Sequence, residues 1–344
     1  MRAQHITTVS IPDGITVGDK FALSDNKSAA LNHNARQNNI SLYHRSGHLL
    51  KTITNIDPEK EFFFSKDEQL IYFKRHDIMR AYVERGEIKT EAIAKDVSIS
   101  AVSKCGNIIA YVNDRHVKVL DITQGTTKTI DNLGSHALAL AFNADKSLAI
   151  SKADKSVTIY NSDLEFVSAF VCASVMPDAM IFTPNKLVCS TIGAYELWHK
   201  SSASASWDMQ FSHSKNSSKV LSEGNGILLS QDDCALATTD ISKPGWNIRP
   251  LPNSSNKNLL TNGSGRFFTA CAGDNKIQVY SKKRRIVAEA PEVQMVADSH
   301  VSLDGKKVKA ISMHKCSLFA LSTYPGDRLL ELEEFKAPQI AASL

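Results

Sequence analysis

Most marks of a specialised chemistry or compartment are missing from this chain. It has six cysteines in 344 residues, at 105, 172, 189, 234, 271 and 316, with no CxxC pair. A chain of this size needs no disulfide staples, so reduced core thiols are expected. The eleven histidines are dispersed and do not cluster with the cysteines, which leaves no zinc spacing and no expected metal. G-x-S-x-G, H-E-x-x-H and G-x-x-x-x-G-K-[ST] are all absent, so no catalytic constellation or cofactor is expected. No apolar run approaches the ~20 residues that span a bilayer as a helix. The N-terminal MRAQHITTVSIPDGITVGDKF lacks the long apolar core of a signal peptide, so the expected compartment is the cytoplasm, the nucleus or both. The net charge is only +4, unlike the strongly basic balance of a dedicated nucleic-acid domain. No segment of useful length has helical periodicity.

What the chain does have is alternation. An apolar alternation, a small polar turn and a second apolar run recur as ALSDNKSAAL, FFSKDEQLIY, AVSKCGNIIA, AFNADKSLAI, MIFTPNKLVC, VLSEGNGILL, LLTNGSGRFF and HVSLDGKKVK. The first polar turn residues are Ser24, Ser65, Ser103, Asn143, Thr183, Ser222, Asn262 and Ser302, separated by 41, 38, 40, 40, 39, 40 and 40 positions. Period-2 alternation around turn-forming residues predicts a β-hairpin at each copy. A third alternating run follows, as in ISLYHR, VKVLDI, VTIYNS, YELWHK and IQVYSK, anchored by Tyr43, Leu120, Tyr160, Trp198 and Tyr280, with Tyr82 in MRAYVE. A weaker fourth run follows that, as in HLLKTI, LEFVSAF, RRIVAEA and RLLELEEF. Four short strands every ~40 residues is the signature of a propeller blade.

The repeats resemble the WD40 family. The best unit, HALALAFNADKSLAISKADKSVTIYN (residues 136–161), is similar to the family's pattern of a His, an AFSPDG-like turn, an LAS-like strand and a D-x-x-I-x-V-W-D-like strand. The Asp of the second turn is present as Asp114, Asp154 and Asp274, each six residues before its anchor, Leu120, Tyr160 or Tyr280. The resemblance implies that this Asp helps hold a hydrogen-bonded tetrad within a blade. Only His136 with Asp154 offers two members in one unit, and Tyr160 stands where the family has Trp. The expected fold is all-β: a β-propeller of four-stranded antiparallel blades, eight by repeat count, with seven as the alternative. Residues 18–336 would form the propeller, residues 1–17 would contain a strand that closes the ring, and 337–344 would be a tail. Trp198 and Trp207 are expected in core and blade packing. Trp246, after a Pro-Gly turn, is either an exposed anchor or buried.

Function on such a fold sits on its faces. The resemblance puts the turns between second and third strands on one face. Four successive units place cations there: Arg36, then Lys74, Arg75 and His76, then Arg115 and His116, then Lys152 and Lys155. One basic turn per blade would form an arc suited to an acidic or phosphorylated segment, although Asp77, Asp114 and Asp154 lie beside these cations and offer neutralisation instead. The run Lys282, Lys283, Arg284 and Arg285 in KIQVYSKKRRIVAEA is predicted to form the tight turn between the third and fourth strands of unit seven, on the opposite face. It reads as a solvated turn, a nuclear-import label or an acidic-partner contact. The resulting expectation is a non-catalytic scaffold or adaptor that binds other proteins, as a subunit of a multiprotein complex. The alternatives are a phosphate-directed binder of phosphoinositide or RNA backbone, with nucleic acid not favoured, and a loop-built enzyme.

Overall fold

A computed structural model describes the backbone of residues 5–10, 17–24, 29–33, 38–44, 48–57, 62–103, 106–183, 186–191, 194–201, 206–214, 220–224, 227–231, 235–240, 247–250, 257–261, 266–271, 276–287, 290–302, 308–314, 317–322 and 328–332. It describes side chains within residues 21–24, 38–44, 48–57, 62–103, 106–182, 186–191, 194–201, 206–210 and 212. Among the described residues every regular element is a strand, and the strands form eight four-stranded antiparallel sheets. Sheet 1 runs Val17–Leu23, Ala29–His33, Ile40–Tyr43 and Leu49–Ile53. Sheet 2 is Phe63–Phe64, Leu70–Lys74, Asp77–Glu84 and Glu87–Ala94. Sheet 3 is Val97–Val102, Ile108–Asn113, His116–Asp121 and Thr126–Ile130. Sheet 4 is Ala137–Phe142, Leu148–Lys152, Ser156–Tyr160 and Phe166–Val171. Sheet 5 is Ala179–Thr183, Lys186–Thr191, Ala194–Lys200 and Trp207–Ser214. Sheet 6 is Val220–Gly224, Ile227–Gln231, Ala235–Asp240 and Asn247–Pro250. Sheet 7 is Lys257–Thr261, Arg266–Cys271, Lys276–Val287 and Ala290–Ser302. Sheet 8 is Val308–His314, Ser317–Ser322 and Arg328–Leu332, completed by His5–Ser10 from the other end of the chain.

The polar residue of each expected turn has a physical job. In sheet 2, Ser65 N donates to Gln69 O (2.8 Å) and Glu68 N donates back to Ser65 O (3.1 Å). Sheets 3 and 4 repeat this with Ser103–Ile108 and Gly106–Ser103, and with Asn143–Ser147 and Lys146–Asn143. The Ser103 hydroxyl also accepts from Ile108 N (3.1 Å), and Ser65 Oγ from Gln69 N (3.3 Å). A small side chain that bonds its own turn makes the reversal local. The residue three places on takes the left-handed conformation: Glu68 at φ 62°, Gly106 at φ 72° and Lys146 at φ 69°. At Gly106 a Cβ would also meet Phe64 O at 3.3 Å, so that turn seats directly against the first strand of sheet 2.

The core lies between successive sheets. Ile40, Leu42 and Ile53 of sheet 1 pack on Phe62, Leu70, Tyr72 and Ala81 in and beside sheet 2. Ile71, Phe73 and Ile78 of sheet 2 pack on Val97, Ile109, Tyr111 and Leu120 of sheet 3. An all-aliphatic cluster joins sheets 3 and 4, and a more aromatic one joins sheets 4 and 5. The first strands of sheets 3 to 8 contact one another in succession, and Val308–His314 of sheet 8 contacts Val17–Leu23 of sheet 1.

The predicted turn at the basic run is corrected. Lys276–Val287 is one uninterrupted strand through Lys282, Lys283, Arg284 and Arg285, and its partner is Ala290–Ser302. The reversal falls after Val287, and RIVAEA is not the fourth strand. The eighth unit shifts with it. Ser302 ends the fourth strand of sheet 7, Val308–His314 begins sheet 8, and Arg328–Leu332 is its third strand, with His5–Ser10 outermost. The reason is that a polar run requires a turn only where the strand must bury a face. A stretch whose main chain is paired with a neighbouring strand stays extended whatever its charge. Residues 337–344 lie outside the described residues.

Candidate interaction surface

The cationic turns occupy equivalent places on sheets 2, 3 and 4. In sheet 2, Lys74 pairs with Asp77 around Arg75 and His76; in sheet 3, Asn113 pairs with His116 around Asp114 and Arg115. In sheet 4, Lys152 to Ser156 joins the second and third strands. Arg75 (φ 57°), Asp114 (φ 56°) and Lys155 (φ 66°) take the left-handed conformation. Arg75, His76, Arg115, His116 and Lys155 are exposed, while Lys74 and Lys152 are half-buried. Arg36 lies outside the described residues.

These turns are fastened to the connections between sheets. Val97 N donates to His76 O (2.6 Å), and Asp96 N to Asp77 Oδ1 (3.3 Å). The Asn113 amide donates to Lys95 O (3.0 Å) and accepts from Lys118 Nζ (2.9 Å). His116 Nδ1 lies 2.9 Å from Asp131 Oδ1, and Lys152 Nζ donates to Leu133 O (3.0 Å). Cys172 N donates to Lys155 O (3.0 Å). The arc therefore divides in two. His116 and Lys152 are engaged with the connection between sheets 3 and 4, whereas the side chains of Arg75, Arg115 and Lys155 face solvent on turns held by main-chain bonds in sheets 2 and 4 and by the Asn113 and His116 side chains in sheet 3.

The expected tetrad does not form at His136 and Asp154. The Asp154 carboxylate accepts from Ser156 N (2.9 Å) and Ser156 Oγ (2.6 Å). Those two bonds, with Lys152 nearby, hold its carboxyl below the usual range. The His136 side chain is exposed, and its carbonyl accepts from Ala153 N (2.8 Å). A local Asx bond outcompetes the longer one because Ser156 is two residues away. Asp114 is exposed at the tip of its turn. Tyr160 is half-buried and meets Phe166 edge-on, with ring centroids 6.5 Å apart. Asp274 and Trp246 lie outside the described residues.

Trp198 is buried, stacked on Phe170 at 4.0 Å, with Trp207 tilted against the same ring at 6.0 Å. Its Nε1 donates to Glu196 Oε2 (3.1 Å). Glu196 is fully buried in the third strand of sheet 5. Its Oε1 accepts from Ser174 N, Ser174 Oγ (2.7 Å) and Val175 N (3.2 Å) on the connection arriving from sheet 4. Burial pushes this carboxyl up, but the bonds from Ser174, Trp198 and Val175 outweigh burial, and the net position is below the usual range. Opposite it in register sits Cys189, whose buried thiol is pushed well up, first by burial and then by Cys172 and the Glu196 charge. Both thiols are free and buried. Sequence reasoning passed over Glu196. The available signal was a lone carboxylate within the otherwise apolar run Ala194–Trp198, where a charge is tolerated only when fully bonded.

No protein-family model matches the chain, and no curated protein matches it by sequence. Solved structures do match. The computationally designed protein Ika8 superimposes with a TM-score of 0.59 at 16% identity, covering 96% of this chain and 99% of that one. The C-terminal WD40 domain of Sif2 gives 0.56 at 10% identity, covering 96% and 98%. BamB from Moraxella catarrhalis gives 0.56 at 12% identity, covering 96% and 99%. With four-stranded antiparallel sheets packed face to face in succession, these likenesses show the fold: the chain is a WD40-like β-propeller.

Proposed function

We propose that this chain is a non-catalytic scaffold, an eight-bladed WD40-like propeller that docks another protein within a larger assembly in the cytoplasm or nucleus. One observation carries the reading. Three consecutive sheets hold exposed cations on equivalent turns, Arg75, Arg115 and Lys155, while hydrogen bonds to the neighbouring connections fix those turns. A fixed backbone reduces the ordering cost of binding, and guanidinium groups suit carboxylate or phosphate in a bidentate fork. The partner that fits is a protein bearing an acidic or phosphorylated segment. The likeness to Sif2's WD40 domain and to BamB is a likeness of fold and supports the reading only in that general sense.

A mild pull-down from native extract tests it, comparing the wild-type chain with an Arg75→Glu/Arg115→Glu double variant. The expected result is a stoichiometric partner that the variant loses. A chain that runs alone at its monomer mass and captures nothing overturns the scaffold reading. A partner retained by the double variant overturns the assignment of the turns.

A further inference from the structure

The basic run lies where the sheet has ended. The second strand of sheet 7, Arg266–Cys271, pairs with the third only as far as Arg266 opposite Ser281. Beyond that point, Lys282–Val287 has one described neighbour, the antiparallel stretch Ala290–Met295. The pairing of Lys276–Val287 with Ala290–Ser302 shifts register between Val279 and Tyr280, just before this boundary, as the third and fourth strands of sheets 1, 4 and 5 also do at Tyr43, Tyr160 and Trp198. The third and fourth strands thus continue past the end of the second as a two-stranded ribbon, toward the face opposite the cationic turns, for about 20 Å at ~3.3 Å per residue.

Among the described residues, this ribbon has an open edge. In an antiparallel strand, successive N–H and C=O pairs address opposite neighbours. Half of the main-chain groups of Lys282–Val287 therefore face the side that Arg266–Cys271 no longer covers. Such an edge is a template for another strand. The charges along it decide which strand. Lys282, Lys283 and Arg284 stand opposite Met295, Gln294 and Val293 in register, and only Arg285 has an acidic register partner, Glu292. Four contiguous cations with a single carboxylate in register repel a second copy of the same edge. They attract an extended segment rich in Asp or Glu. Pro291 lies on the other strand of the ribbon, opposite Ile286, so it does not interrupt the open edge.

We infer that the edge formed by Lys282–Val287 is a second docking site, which takes an extended acidic segment of a partner protein by strand addition. Main-chain bonds supply the pairing and the four cations supply the choice of partner. This site is on the face opposite the cationic turns and does not depend on the role assigned to them.

The test uses the full chain and a fluorescent peptide of about eight residues alternating Glu and Thr. A second peptide has the same side chains but N-methyl groups on alternate amides, which keeps the charge and removes the pairing. The parent peptide is expected to bind and to slow hydrogen exchange at residues 282–287. The N-methylated peptide is expected to lose that protection and most of its affinity. Replacing Lys282, Lys283, Arg284 and Arg285 together by Gln should weaken the parent by about tenfold or more, because each exposed pair adds a few tenths of a kcal/mol or more and 1.4 kcal/mol is a factor of ten. Equal binding of the two peptides overturns the inference, since charge alone then suffices. A short duplex DNA that displaces the parent peptide at lower concentration than the unlabelled peptide does also overturns it, because the site is then a polyanion grip. If the glutamine variant fails to fold, the two peptides still decide on the wild-type chain.

Discussion

Sheets 3 and 4 and sheets 4 and 5 meet at equivalent places in the fold and are joined by different chemistry. The first junction is aliphatic: Ala110, Val112, Val117, Val119, Ile130, Leu133, Leu140, Leu148 and Ile150 form one buried cluster. The second contains Phe170, Trp198, Trp207, two thiols and, beside them, the buried carboxylate of Glu196. The aliphatic seam depends on shape, so its loss scales with the volume removed. The other seam depends on one acceptor serving four donor contacts from Ser174, Val175 and Trp198. Its loss is the cost of several buried donors left without a partner. One fold position thus tolerates either a graded or an all-or-none solution.

Substitutions can break this comparison. Glu196→Ala should be the most damaging, lowering stability by about 4 kcal/mol, because it removes the common acceptor and opens a cavity; a urea midpoint near wild type would show that the carboxylate joins nothing. Leu148→Ala, in the aliphatic seam, should cost about 3 kcal/mol. Adding Ile150→Val there should cost about 1 kcal/mol more, the graded behaviour that distinguishes the two seams.

Acid should act on one junction and not the other. The Glu196 carboxyl is held below its usual range in the folded chain. Its contribution is therefore complete above the unfolded carboxyl value and is lost as pH falls through the folded one. Melting temperature followed downward in pH should drop more steeply in wild type than in Glu196→Gln, which has no proton to gain there. Parallel curves would remove Glu196 from the account. The smallest effect lies within the aromatic cluster. Trp198 donates to Glu196, whereas the buried Trp207 Nε1 has no partner among the described residues. Trp198→Phe should cost about 1 kcal/mol more than Trp207→Phe, and equal costs would place the effect in ring packing alone.

Most of the fold was legible because its signal is local and repeated. Six of the eight turn residues, Ser24, Ser65, Ser103, Asn143, Thr183 and Asn262, lie at or just after the end of the first strand of their sheets, and Ser222 lies two residues inside the end of its strand. Ser65 and Ser103 show why a hydroxyl is chosen there. The failure at Ser302 came from treating hydrophilicity as a turn signal, when strand pairing alone keeps Lys282–Arg285 extended. The candidate surface was legible in composition but not in engagement. The spacing of Lys152 and His116 gave no hint that Leu133 O and Asp131 would take them. The tetrad at His136 and Asp154 failed because Ser156 is a nearer donor. Glu196 was missed because its partners Ser174 and Val175 come from a different sheet's connection, a long-range fact that no local pattern encodes.

The pairing of His5 with Leu332 has a consequence in time. During synthesis the strand His5–Ser10 emerges before the other described strands, yet its only described partner, Arg328–Leu332, emerges after them all. Sheets 1 to 7 can each zip from consecutive hairpins as they appear. Sheet 8 must wait for two strands more than 300 residues apart to meet, which is the slowest kind of contact to form. Until then the unpaired edges of Arg328–Leu332 and His5–Ser10 are open to strands of other chains, and this interval is when the protein is most exposed to misassembly.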